Sequence, residues 1–352
     1  MKAGTEYVLD DLMAAQLMSL AGGGEMRSLD VYQGAAHRGG PARRMNKVGH
    51  QFESALYLRA GGFGDLILLT PVLREHKRQF PNARIGVATM THYAQVLAGL
   101  PFVDEVVPYP LTLEQLYQWD EWVFLENAIE RNPAAHKVHM TDLFAQIAGV
   151  GEEFDKRPVY QVKPSEAVWA NVQHPRNQKR RLCVQVRTSA IARNYPGNLL
   201  GQACRTLSER GWEVFLMGEQ GQLPEARRPI EWAVNLTEAG YSFRQSAAII
   251  NTADCVLAPD SALVHVAGAL GVPTVALYGP FPWSLRTAYC PTTYALTGNG
   301  PCAPCFHHVN PALRDHFPKD CPTAKLGMCG VLADIKPERI VAKVDEHKRR
   351  LD

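Results

Sequence analysis

The chain has 352 residues, enough for two domains of ordinary size. At 46% hydrophobic and 20% charged it has the composition of a packed globular protein, which excludes a disordered chain, a coiled coil and a disulfide miniprotein. A formal charge of +2 gives no global basic field for nucleic acid, although a local patch stays open.

No stretch approaches the roughly 18 consecutive apolar residues of a membrane span. The start, MKAGTEYVLDDLMAAQ, carries acids where a signal peptide carries lysines. The sequence therefore predicts a cytoplasmic protein, not integral to a membrane. Its eight cysteines then read as reduced thiols or metal ligands.

Residues 1–50 read as an N-terminal arm. Leu9, Leu12, Met13, Leu17 and Leu20 form a helical stripe behind Thr5 as N-cap, and Gly22-Gly23-Gly24 stops it. From Gly34 to His50 there are Arg38, Arg43, Arg44 and Lys47 but no acid. That composition predicts a flexible segment or one ordered by a partner, including a second copy of the chain.

Ordered α/β periodicity begins at Ser54. ALYLRA (55–60) is a buried strand, GGFGD (61–65) a glycine turn, and 66–80 a helix with Pro71 in its first turns. Strands follow at 84–89, 103–109 and 121–126, with helices at 91–100 and 136–150. Residues 151–178 are polar and proline-containing and read as a linker, with the domain boundary placed between 51–165 and 166–352. The second series has strands at 182–187, 213–218, 255–259 and 274–279, and helices at 199–211, 242–253 and 261–271. This alternation predicts two parallel sheets covered on both faces, two Rossmann-like halves, and a ligand cleft at the C-terminal ends of the strands.

Three segments carry candidate chemistry. In RAGGFGDLILLTPVL (59–73), Gly61, Gly62 and Gly64 allow close approach to backbone where a strand hands over to a helix. Ile67 stands where a dinucleotide fingerprint needs its third glycine, and no G-K-[ST] follows, so neither an NAD site nor a P-loop is expected. Asp65, just after the turn, is either a proton acceptor or an N-terminal helix charge or cap. In CVLAPDSALVHVAGALG (255–271), Asp260 and Ser261 supply N-cap oxygens to a helix that carries His265 one turn on. That arrangement is either a diphosphate cradle or a capped helix with a buried histidine. In QVRTSAIARNYPG (185–197), Thr188 and Arg193 follow a strand and suit phosphate oxygens, or are solvated loop groups.

In this order and spacing, the glycine turn with Asp65, the loop with Arg193, Tyr195 and Pro196, and PDSALVHVAGALGVPTVALYGP resemble glycosyltransferase family 9, the ADP-heptose:lipopolysaccharide heptosyltransferases. The similarity spans roughly residues 54–345. It implies a GT-B fold of two facing Rossmann-like domains, the N-terminal one for the acceptor and the C-terminal one for a nucleotide sugar. It also implies an inverting transfer without a catalytic metal, with Asp65 as general base. Thr188 and Arg193 would contact the diphosphate, Asp260, Ser261, Ala262 and His265 the donor sugar, and Tyr241 the adenine. The family's Lys-x-Trp-Pro loop reads Arg193-Asn194-Tyr195-Pro196 here. The first domain carries few of the basic residues that would hold a phosphorylated lipid A–core acceptor.

A fourth motif lies in the loop 300–330: Cys302-x2-Cys305-x15-Cys321-x7-Cys329, with His307, His308 and His316 between. Four thiolates so spaced suit one structural zinc or iron, and the resemblance extends to family members with an iron-binding cysteine set. Cys183, Cys204, Cys255 and Cys290 read as core. The function expected is transfer of a heptose or related sugar from an NDP-sugar, ADP-linked by resemblance, to a glycan, protein or nucleic-acid hydroxyl. Two alternatives remain: a phage-type transferase acting on nucleic acid or a modified nucleotide through the basic arm, and a nucleotide-sugar-binding subunit without turnover.

Overall fold

The buried strand runs and the helices between them build two parallel sheets in a computed structural model that describes residues 43–45, 53–126, 128–129, 133–223, 230–306, 321, 323–324 and 327–350. The chain divides into two compact units, Met1–Lys156 and Arg157–Asp352. The helical stripe predicted at 5–21, Arg38 and Lys47 of the arm, and His307, His308 and His316 lie outside the described residues.

In the first unit, β1 (Arg43–Met45), β2 (Ser54–Leu58), β3 (Arg84–Thr89), β4 (Glu105–Pro108) and β5 (Glu121–Phe124) lie in the order β1-β5-β2-β3-β4. All neighbours are parallel except β1, which pairs antiparallel with β5. Arg43–Met45, expected within the arm, thus forms an edge strand: the open backbone of β5 offers pairing that composition does not reveal. Every residue of β2 and β5 is buried, as in a sheet covered on both faces.

Helix α1 (Phe63–Gln79) starts three residues earlier than expected. Gly62, at φ 91°, makes the turn in one step, so Gly64 and Asp65 belong to the helix. The expected helix 91–100 is only a 3₁₀ turn, Ala94–Leu97, cut short before Gly99 at φ 86°. A short helix α2 (Leu113–Tyr117), not expected, is nucleated by the capping box of Thr112 and Gln115. Helix α3 (Met140–Ala148) fills the centre of the segment 136–150 and ends at Gly149 in the left-handed region.

In the second unit, β6 (Arg180–Gln185), β7 (Trp212–Met217), β8 (Val234–Asn235), β9 (Cys255–Pro259), β10 (Thr274–Tyr278) and β11 (Thr293–Thr297) form a parallel sheet in the order β11-β10-β9-β6-β7-β8. The helices are α4 (Pro164–Gln173), α5 (Gly197–Glu209), α6 (Phe243–Ile250), α7 (Ala262–Ala269), α8 (Ser284–Thr287), α9 (Gly330–Ala333) and α10 (Pro337–Arg350). Helix α4 corrects the linker reading of 151–178. Pro164 opens it, Glu166 caps it, and the Arg244 guanidinium holds Glu166 through Nε at 2.5 Å and Nη2 at 2.6 Å. Cys183, Cys204, Cys255 and Cys290 are buried, as expected. Among the described residues no helix is long and apolar enough to cross a membrane.

Candidate active site

In each sheet the chain leaves a central strand, β2 or β6, in one direction and later returns on its other side. The strand order reverses between β2 and β5 in the first unit and between β6 and β9 in the second. Loops at such a switch point diverge and leave room for a ligand beyond the carboxyl ends of the strands.

The first switch point carries Asp65. Arg59, just beyond β2, donates from Nε to Asp65 Oδ2 at 3.2 Å and from Nη2 to the same oxygen. Its Nη1 donates to the Leu125 carbonyl beyond β5 at 3.1 Å. The Glu126 carboxylate accepts from the Ala60 amide and ties the two strand ends together. Arg59 is 5% exposed and the Asp65 side chain 25%. Gly62 occupies the N-cap position of α1 without a side-chain cap, and Asp65 sits in the first turn, where a carboxylate favours the helix dipole. Gly61 faces Tyr93, which an added Cβ would meet at 3.4 Å, and Gly64 lies within the helix.

The second switch point gathers most of the predicted donor residues. The Thr188 amide donates to Asn194 Oδ1 at 2.7 Å, and its hydroxyl lies 2.9 Å from the Ala190 carbonyl and 3.1 Å from Asn194 Oδ1. Arg193 ends the 3₁₀ turn Ile191–Arg193 and donates from Nη1 to the Asp260 carbonyl at 3.0 Å. Ser261 stands at the N-cap position of α7 but makes no side-chain cap; its hydroxyl donates instead to Gln185 Oε1 at the end of β6. The capping expected of it is thus replaced by a bond across the two strands. Asp260, Ser261 and His265 are buried and Ala262 is half-buried. Burial, and after it the Asp260 carboxylate, push the Tyr278 phenol well above its ordinary range. Tyr241 lies against two side chains: its hydroxyl is 3.1 Å from His174 Nε2, and its ring meets Trp169 edge-on at 5.1 Å.

Arg59, Glu126, Gln185 and Asn194 were not singled out from the sequence. The available signal was a charged residue closing the apolar run LYLRA, and an amide at the end of a buried strand. Each acts on a partner that only the fold brings close.

Of the cysteine motif, Cys302 Sγ is 3.1 Å and Cys321 Sγ 3.7 Å from the Thr323 hydroxyl. Burial raises the Cys329 thiol above its ordinary range, against backbone hydrogen bonds from Leu332 and Val331 that lower it. An added Cβ on Gly279, just beyond β10, would meet Cys329 Sγ at 3.3 Å. Cys305 is half-buried, and no cysteine forms a disulfide. Among the described residues no three His, Cys, Asp or Glu side chains converge as a metal site.

Two parallel-sheet α/β units, each with polar groups collected at its switch point, are the architecture of the GT-B fold of glycosyltransferases. The model of glycosyltransferase family 9 (heptosyltransferase) matches residues 119–314, more than half of the chain, and the chain belongs to that family. It is 22% identical over 306 residues to lipopolysaccharide heptosyltransferase 1 of Pseudomonas aeruginosa, across 71% of this chain and 85% of the relative. Among solved structures, E. coli ADP-heptose lps heptosyltransferase II matches with a TM-score of 0.63 at 16% identity, covering 85% of this chain and 99% of the other. The iron-containing dodecameric glycosyltransferase TibC from enterotoxigenic E. coli matches with a TM-score of 0.61 at 16% identity, covering 86% of this chain and 77% of the other. The chain is therefore an enzyme, a heptosyltransferase-like glycosyltransferase, and the reading as a binding subunit without turnover falls.

Proposed function

We propose that the chain transfers a heptose or related sugar from an ADP-linked donor to a glycan hydroxyl, with inversion at the anomeric carbon and Asp65 as general base. The observation that carries this reading is Asp65 itself: a partly exposed carboxylate at the switch point of the first sheet, bound on one oxygen by a buried arginine. Residues 51–165 handle the acceptor and 166–352 the donor. One of these relatives is named for ADP-heptose and lps and another for lipopolysaccharide, which supports that donor and a lipopolysaccharide-type acceptor here. The proposed location remains the cytoplasm.

In this mechanism Asp65 takes the proton of the acceptor hydroxyl. The oxygen attacks the anomeric carbon opposite the diphosphate, and the carbon–oxygen bond to the diphosphate breaks with its electron pair on the leaving group. Arg193, Thr188 and the amides that open α7 stabilise the charge growing there. Asp260, Ser261, Ala262 and His265 orient the sugar, and Tyr241 contacts the adenine. No metal takes part in the chemistry.

Cys302, Cys305, Cys321 and Cys329 would hold one structural zinc or iron. The donor set fits in kind, because soft thiolates suit both metals and two of the sulfurs already share contact with Thr323. Such an ion would supply a cross-link that ties residues 302–305 to 321–329.

Asp65→Asn tests the central assignment. It should leave nucleoside diphosphate binding and melting temperature near wild type while turnover drops by about 10²–10⁴-fold, the usual worth of a general base. A variant that turns over at nearly the normal rate reduces Asp65 to a helix-terminal charge.

A further inference from the structure

Arg59 is drawn almost wholly out of water, and a guanidinium so placed is tolerable only when its N–H groups are satisfied. It is satisfied in a particular way. Its main-chain amide donates to the Ala88 carbonyl at 3.0 Å, which fixes the residue to the end of β3. Its Nη1 is fixed to the carbonyl of Leu125 beyond β5. The remaining edge of the fork, Nε and Nη2, converges on one oxygen of Asp65, Oδ2. The same oxygen also packs close to Gly62, where an added Cβ would lie 2.6 Å from Oδ2 and 2.8 Å from Cγ. The two oxygens of Asp65 are therefore not equivalent: Oδ2 is bound by Arg59 and packs close to Gly62, while a quarter of the side chain still meets solvent.

We propose that Arg59 is a positioning residue that anchors Asp65 through Oδ2 and leaves Oδ1 as the oxygen that receives the acceptor's proton. The proposal rests on the general-base reading of Asp65. The proton passes from the acceptor hydroxyl to Oδ1, and the O–H electron pair becomes the new bond to the anomeric carbon. Arg59 takes no part in bond making. It acts by restricting the rotation of the carboxylate, which it holds through two N–H groups of one rigid fork. A lysine, a single point charge, cannot reach Leu125 and Asp65 together as the planar fork does.

A double-mutant cycle between Arg59 and Asp65 tests this. Arg59→Met should lower kcat by about 10²-fold, the cost of a misplaced catalytic group, with acceptor KM and ADP affinity within about threefold of wild type. Arg59→Lys should lose less, and should serve for the same cycle if the methionine variant does not fold. The double variant R59M/D65N should match D65N in kcat within about threefold, because a group acting only through Asp65 has nothing left to position. Wild-type kcat in a folded R59M overturns the proposal. So does a double variant in which the two losses multiply, since Arg59 would then act by another route. Retained turnover in D65N alone removes the general-base reading itself and is told apart from the other two outcomes by that single variant.

Discussion

Arg193, in the loop after β6, donates from its guanidinium to the main-chain carbonyl of Asp260, the residue that follows β9, at 3.0 Å. The bond spans the switch point of the second sheet and leaves the Asp260 carboxylate out of the contact. One residue of the pair thus places a cation near the start of α7, and the other is a buried aspartate just beyond β9.

That geometry divides their roles. Arg193→Ala should weaken ADP binding by about 10–150-fold, the worth of about 1.5–3 kcal/mol for a charge-assisted hydrogen bond. Asp260→Ala should change ADP affinity less than threefold yet weaken binding of the intact nucleotide sugar. Isothermal titration of both ligands against both variants separates the effects, and equal losses with ADP alone would contradict the division.

The cysteine motif makes a separate forecast. Protein purified without added metal should carry close to one zinc or iron per chain by elemental analysis, and only iron would give a visible thiolate charge-transfer band. Cys302→Ser or Cys321→Ser should release the ion and lower the melting temperature, with kcat falling only as far as structure is lost. Metal-free protein with four freely titrating thiols in 302–329 would exclude the site.

His174 predicts a pH dependence of stability. Burial, with the Arg181 charge adding to it and Glu213 opposing, holds its imidazole below the ordinary histidine range. The native state then binds fewer protons than the unfolded chain, so this contribution is present above about pH 6.5 and is lost as pH falls. Melting temperature should drop between pH 7.5 and pH 5.0, and His174→Gln should reduce that drop. Parallel pH profiles for the two proteins would show that His174 does not contribute.

Most of the two α/β series was legible in the sequence, because it depends on local patterns. The runs CVLAP and TVALYG are apolar on both faces; the first matches β9 residue for residue, and the second matches β10 apart from Gly279. Helix α4 was not legible: its segment is polar, and it is secured by the capping box of Lys163 and Glu166 and by Arg244 from α6. Strand β11 was missed for a similar reason. Its half-exposed residues owe their place to parallel pairing with β10.

By itself the sequence determined the order of most strands and helices, the glycine turn that delivers Asp65, and the presence of Thr188, Arg193, Asp260 and Ser261 in the segments that follow strands. It did so because periodicity and turn chemistry act within a few residues. Only the tertiary structure decided that Arg59 binds Asp65 while reaching Leu125, 66 residues away, and that Ser261 turns from its own helix to Gln185, 76 residues away. Those bonds exist because strands distant in sequence end side by side, where a buried polar group must take whichever partner the sheet brings within reach.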